Sequence, residues 1–104
     1  RMSHYVFEDP VAVAQQVVEE LRGRCQVVLA VTHLGLKHDR ELLERVPGID
    51  LVVGGHSHTP LSEPEMHDGR CIVQSRPYAK AVGRAELEVG RGRVKVLGGE
   101  LVAF

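Results

Sequence analysis

Two continuous runs of apolar, mostly β-branched residues constrain the fold of this 104-residue chain more than any other feature. They lie at residues 26–32 and 49–53, and a short amphipathic segment at 38–46 separates them. Runs that are apolar on both faces are typical of central parallel strands rather than of edge strands. A strand, a helix and a second strand within about 30 residues predict a right-handed βαβ crossover with two neighbouring parallel strands.

Two helices are predicted, one on either side of the first strand. Residues 9–23 suit a helix, because Asp9 is a good N-cap residue and Pro10 suits the first helical position. Gly23 is a typical helix end. The segment 38–46 is expected to turn its apolar residues inward and its charged residues outward. The inward set is Leu42, Leu43 and Val46, and the outward set is Asp39, Arg40, Glu41 and Arg45.

The second half of the chain has a different pattern. Residues 57–70 are polar and predict a loop, and residues 71–75 predict a third short strand. Over residues 83–97 apolar and charged residues alternate around Gly90-Arg91-Gly92, which predicts an antiparallel hairpin with one solvent-facing side. The predicted fold class is therefore α/β, with a βαβ parallel core followed by an antiparallel hairpin.

Composition narrows the classes of function. Hydrophobic residues make up 43% of the chain and the formal net charge is −1, which is typical of a globular domain and not of a polyanion-wrapping protein. Seven basic residues against two acidic ones lie between residues 70 and 95, but aromatic residues do not alternate with them, so no nucleic acid partner is expected. The apolar runs are far shorter than the roughly 20 residues of a membrane span. No membrane contact is therefore expected. No signal peptide is visible either, and the cellular location stays open.

Three of the six histidines directly follow the two predicted buried strands. His33 comes after the first strand, and His56 and His58 come after the second, separated from it by Gly54-Gly55. Adjacent strands are about 4.8 Å apart, and ligands collect at the carboxyl ends of parallel strands. Neutral imidazole is the commonest ligand of borderline divalent metals, so we predict that these three histidines bind metal. The histidines expected to be solvated are His4, His38 and His67.

Two longer stretches resemble a known family. Residues 32–35 read Thr-His-Leu-Gly, and residues 46–59 read Val-Pro-Gly-Ile-Asp-Leu-Val-Val-Gly-Gly-His-Ser-His-Thr. Together they resemble the C-terminal half of the catalytic domain of 5'-nucleotidase-like, calcineurin-type metallophosphoesterases. The resemblance covers about residues 9–98, and the second stretch is its specific part.

The resemblance implies a hydrolase with a two-metal centre that cleaves phosphate esters, most often nucleotides. His33 and His56 would ligate one divalent metal ion and His58 the other, the ions being Zn, Mn or similar. Two adjacent cations clamp a phosphate, generate a hydroxide nucleophile and steady the leaving oxygen. Arg76 is either a phosphate contact or solvated, and Tyr78 either lines the substrate entrance or packs under its loop. Members of the family are often extracytoplasmic.

Several residues of the family's metal centre are absent from this chain. The family's Asp-x-His, Gly-Asp-x-x-Asp and Gly-Asn-His-Asp/Glu motifs do not occur, and the chain contains no Asn. We therefore expect residues 1–104 to be a single partial domain, half of a metallophosphoesterase α/β sandwich, with weakly filled metal positions and little activity alone. Whether the chain itself is an enzyme is left open. The alternative is a non-catalytic α/β interaction module that self-associates, or pairs with a missing half, through an exposed apolar sheet flank.

Overall fold

The computed structural model describes residues 8–55, 63–74, 81–90 and 93–103, which form two helices and six strands. The helices are α1 (Pro10–Leu21) and α2 (Leu36–Arg45). The strands are β1 (Leu29–Val31), β2 (Leu51–Gly54), β3 (Glu65–His67), β4 (Arg70–Gln74), β5 (Ala81–Gly90) and β6 (Arg93–Ala103). Because α2 connects the parallel strands β1 and β2, the predicted α/β class and its βαβ unit are confirmed.

Helix α1 begins where the sequence predicts. The Asp9 carboxylate accepts a hydrogen bond from the Val11 amide at 3.1 Å, and Pro10 occupies the first turn. Together with α2, this helix covers one face of the sheet. The buried cluster between helices and sheet consists of Val11, Val18, Leu36, Leu42, Leu43, Val46, Ile49, Val52 and Ile72. Neither α1 nor α2, the helices of the described residues, has the length and apolarity needed to cross a bilayer.

The main sheet has the strand order β1-β2-β4-β3. Strands β1, β2 and β4 are parallel, and β3 is antiparallel to β4. The central position expected for the first strand is wrong for the described strands, because β1 lies at the edge. Its Leu29 and Val31 side chains are 55% and 82% exposed, while Ala30 packs against the helix-side cluster. The described residues cover only one face of β1, so its composition is more apolar than its burial here requires.

A strand lies within the segment that the sequence predicts to be a loop. Residues 65–67 of that segment form β3, which pairs with β4 across the two-residue turn Asp68-Gly69. The turn residues have φ values of 52° and 82°. Successive positive φ values are typical of the type I′ hairpin turn, for which Asp-Gly is a preferred sequence. The signal for this hairpin is therefore present in the sequence, although the surrounding composition favours a loop.

The predicted hairpin is confirmed and is longer than the alternation suggests, since β5 and β6 pair over their whole length. Its Val96 side chain packs against Leu51 and Cys71 on the sheet face opposite the helices, where all three are buried. This second cluster covers only part of that face. The remainder, called here the open apolar face, carries Leu29, Val31 and Val53, all of them exposed.

Arg70 connects β4 to the end of α2 through hydrogen bonds. Its Nη2 donates to the carbonyl oxygens of Leu43 and Val46 at 2.7 and 2.8 Å, and its Nε donates to the carbonyl oxygen of Ile49 at 2.7 Å. Carbonyl groups at a helix C-terminus have no partner within the helix, so a guanidinium with several donors is well suited to them. The contact fixes the α2–β2 connection against the sheet.

Candidate metal centre

The carboxyl ends of β1 and β2 lie side by side, as expected for neighbouring parallel strands. The Thr32 amide donates to the carbonyl oxygen of Val53 at 2.9 Å, which continues the ladder by one residue. The Gly35 amide then donates to the carbonyl oxygen of Gly55 at 3.0 Å. The turn between these two bonds carries His33, so this turn is held against the end of β2.

His33 is exposed at this edge, with its ring beside Gly55. A Cβ added at Gly55 would lie 3.4 Å from His33 Nδ1 and 3.8 Å from the carbonyl oxygen of Thr32. These are ordinary van der Waals distances, so the imidazole lies beside the backbone that leads on from β2 without a close approach. An exposed imidazole at the carboxyl edge of a parallel sheet fits one ligand of a divalent metal.

The remaining predicted site residues lie outside the described residues. They are His56, His58, Arg76 and Tyr78. Within the described part of the chain, no three or more His, Cys, Asp and Glu side chains gather into a group able to hold a metal ion. The structure thus places one member of the predicted set, and the ligand roles of all three histidines stay predictions.

Two further histidines of the described residues lie on the surface, each beside a glutamate. His38 Nδ1 lies 3.9 Å from a carboxylate oxygen of Glu41, and His67 Nε2 lies 2.8 Å from one of Glu65. Their side chains are 62% and 38% exposed. Both rings lie beside a surface glutamate, in agreement with the solvated positions expected for them.

Asp39 is buried, which contradicts its predicted outward orientation. Its side chain is fully inaccessible, and Oδ1 accepts a hydrogen bond from Thr32 Oγ1 at 2.6 Å. Oδ2 has no hydrogen-bond partner among the described residues. Burial raises the pKa of this carboxyl, while the Thr32 hydrogen bond and the nearby His38 oppose the rise. Residue 39 lies three and four positions before the core residues Leu42 and Leu43, so helical periodicity indicates its buried position even though its charge suggests exposure.

Gly54 lies directly under this carboxylate. A Cβ added at Gly54 would overlap Asp39 Oδ2 and would lie 3.3 Å from Gln74 Oε1. Gln74 is in register with Gly54 on the neighbouring strand and is only 3% exposed. Asp39 and Gln74 therefore flank Gly54 as buried polar side chains near the carboxyl ends of the parallel strands, and Thr32 joins this polar layer through its hydrogen bond to Asp39. Sequence reasoning missed this layer and noted Gly54 only as part of the glycine pair that precedes His56.

The chain is similar in sequence to proteins named as phosphoesterases and in structure to a 5'-nucleotidase. It is 33% identical to the trifunctional nucleotide phosphoesterase protein YfkN of Bacillus subtilis over 87 residues, which cover 79% of this chain and 6% of that protein. It is 30% identical to protein UshA of Yersinia enterocolitica over an alignment of 127 residues, which covers 92% of this chain and 23% of UshA. No protein-family model matches the chain.

The structural comparison agrees with the sequence comparison. The crystal structure of a 5'-nucleotidase precursor from Thermus thermophilus superimposes with a TM-score of 0.84 at 29% identity, covering 95% of this chain and 23% of that one. The fold and these similarities show that the chain belongs to the metallophosphoesterases, a class of hydrolases. Its homologues and structural neighbours include 5'-nucleotidases, in agreement with the resemblance of the two motif stretches. The chain spans less than a quarter of the length of each of these three proteins.

Proposed function

We propose that this chain is part of a two-metal phosphoesterase that hydrolyses phosphate esters such as nucleotides, with His33, His56 and His58 as metal ligands. The observation that carries the proposal is the position of His33, exposed at the end of β1 and beside the glycine that precedes His56. The names of the relatives support the substrate class, since YfkN is named as a nucleotide phosphoesterase and the Thermus protein as a 5'-nucleotidase. Residues 1–104 would then form a single partial domain.

In this proposal the contribution of the described residues is to bind and orient a metal ion through His33. A two-metal centre, when bound, contributes Lewis-acid polarisation of the phosphoryl oxygens and charge neutralisation. Zn²⁺ is an ion that imidazole ligates well, whereas Mn²⁺ prefers oxygen ligands such as carboxylates. In this proposal the exposed His33 supplies an imidazole ligand from its position beside Gly55. In this proposal Arg76 contacts the phosphate and Tyr78 lines the substrate entrance.

The ligand assignment can be tested with Mn²⁺ on the 104-residue chain. Paramagnetic Mn²⁺ broadens the NMR signals of nearby protons, so at low metal-to-protein ratios the ring signals of His33, His56 and His58 should broaden before those of the surface histidines. The variant His33→Ala should weaken Mn²⁺ binding, whereas the matched control His38→Ala should leave it unchanged. Equal broadening of all histidine rings, or Mn²⁺ binding that is insensitive to His33→Ala, would contradict the proposal.

The second candidate is a non-catalytic module that associates with another copy of this chain. It is favoured by the open apolar face, where Val31 is 82% exposed and Leu29 is 55% exposed on a strand whose outer edge has no partner among the described strands. Light scattering after size exclusion should then show dimers that Val31→Lys converts to monomers. Val89→Lys, at a 44% exposed valine of the hairpin, is the matched control. A monomeric wild-type chain at high concentration would rule this candidate out.

A further inference from the structure

We infer that Asp39 is a positioning residue for His33, because its buried carboxylate holds the ends of β1 and β2 in a fixed relation. The inference rests on the proposed role of His33 as a metal ligand. Asp39 acts here through Thr32 and Gly54, which lie at the two strand ends that lead to the predicted ligands. It therefore adds a residue on α2 to a site otherwise built from the sheet edge.

The first part of this relation is the anchoring of the His33 turn on both sides. On one side, Thr32 gives its hydroxyl to Asp39 Oδ1 at 2.6 Å and its amide to the Val53 carbonyl oxygen at 2.9 Å. On the other side, the Gly35 carbonyl oxygen accepts from the Asp39 amide at 3.0 Å. The bond to Gly35 is an ordinary backbone bond of the first turn of α2, so the Asp39 carboxylate holds the Thr32 end of the segment that contains His33 and the helix start holds the Gly35 end. A carboxylate hydrogen bond of this length is among the stronger types, so the segment has little freedom.

The second part is the contact with Gly54. Asp39 Oδ2 lies so close to this glycine that a β-carbon has no room, and the oxygen has no hydrogen-bond partner among the described residues. Leaving a buried carboxylate oxygen without a partner costs stability. A residue selected for packing alone would be apolar at this place, as Leu42 and Leu43 are one turn later. Residues that violate a packing rule at the edge of a site are typical of functional positions.

NMR of the same chain can test the inference with two variants that keep the side-chain shape. Thr32→Val removes the hydroxyl, and Asp39→Asn removes the charge that this hydroxyl contacts. Both should shift and broaden the His33 ring signals, because the turn then samples several conformations. Both should also weaken Mn²⁺ binding by about tenfold, the equivalent of one hydrogen bond to a charged group. Unchanged His33 signals in both variants would overturn the inference.

Two controls separate positioning from a general loss of stability. Glu44→Gln changes an exposed carboxylate on the same helix and should alter neither His33 nor stability. Val96→Ala weakens the second buried cluster and should lower stability while leaving the His33 ring signals in place. If Val96→Ala disturbs His33 as much as Asp39→Asn does, Asp39 has only a structural role. If Mn²⁺ does not affect His33 in the wild-type chain, the proposed ligand role fails, while the ring signals still report on positioning.

A double variant that restores stability can test the contact between Asp39 and Gly54. Gly54→Ala should strongly destabilise the chain, because its methyl group overlaps the carboxylate. The double variant Gly54→Ala with Asp39→Ala should recover much of the lost stability, since removing the carboxylate frees that space. Its His33 signals should nevertheless stay perturbed. A stable Gly54→Ala single variant would show that the carboxylate does not occupy this position, and the inference would be overturned.

Discussion

Arg40 on α2 donates to both carboxylate oxygens of Glu65 on β3, with Nε–Oε2 and Nη2–Oε1 distances of 2.9 and 2.6 Å. Hydrogen bonding from Arg40 is the main reason that the pKa of Glu65 falls from its usual 4.5 to about 2; partial burial opposes the fall, and His67 adds to it. The paired geometry is that of a fork-like arginine–carboxylate contact. This contact joins β3 to α2, the helix that carries Asp39. Among the described strands, β3 is the only one that the sequence did not predict.

The first prediction concerns the acid stability that this pair provides. Because the folded-state pKa of Glu65 lies below its unfolded value, its contribution is fully present above about pH 4.5 and is lost as the pH falls toward 2. Glu65→Gln should therefore lower the urea midpoint at pH 7 and flatten its dependence on pH between 4.5 and 2. The matched control is Glu63→Gln, an exposed carboxylate nearby. Equal pH dependence in wild type and Glu65→Gln would contradict this assignment.

The second prediction concerns Arg70, whose guanidinium serves three carbonyl oxygens around the end of α2. Burial lowers the pKa of Arg70, and the nearby Asp50 and Asp68 oppose this change. Arg70→Ala removes these hydrogen bonds, although the Val46 carbonyl oxygen keeps the Ile49 amide as a donor at 3.3 Å. The variant should reduce the free energy of unfolding by about 2 to 4 kcal/mol, measured by urea denaturation. Arg45→Ala removes an exposed i,i+4 ion pair and should cost only about 0.5 kcal/mol. Similar losses in the two variants would argue against the capping role.

The third prediction concerns the two cysteines, which are both free thiols, Cys25 exposed and Cys71 buried. Burial raises the pKa of the Cys71 thiol to about 11, so little thiolate forms there at pH 8. A thiol reagent at pH 8 should therefore modify one cysteine per folded chain rapidly and the second only after denaturation. Cys25→Ser should abolish the rapid phase. Rapid modification of both thiols in the folded chain would place Cys71 in a more open environment than the second buried cluster.

The fourth prediction concerns catalysis by the chain alone. The acidic and asparagine motifs of the family's metal centre are absent from residues 1–104, so we expect weak binding of divalent metal and little or no release of phosphate from nucleotides. Calorimetry with Mn²⁺ or Zn²⁺ and a phosphate-release assay measure these two properties. Submicromolar metal binding, or metal-dependent phosphate release that His56→Ala removes, would contradict the prediction.

The part of the candidate site that could be predicted from sequence is the part that depends on strand order and strand ends. A buried run followed by His33, and a second followed by paired glycines, indicate a shared edge without any knowledge of side-chain positions. The role of Asp39 was not predicted, because the charge of a residue is a poor guide to its burial where a hydroxyl and a glycine accommodate it. The helical periodicity of α2 indicates a buried position for Asp39, whereas its charge suggests an exposed one.

Local patterns in the sequence determined the order of elements, the N-cap at Asp9, the parallel pairing of β1 with β2 and the family motifs, because each depends on a few neighbouring residues. Only the tertiary structure decided which faces are covered. It placed β1 at the edge of the described sheet, Arg70 on the end of α2 and Asp39 against Gly54. The physical reason is that the polarity of a side chain limits the environments that suit it. The residues that form this environment, however, come from distant parts of the chain.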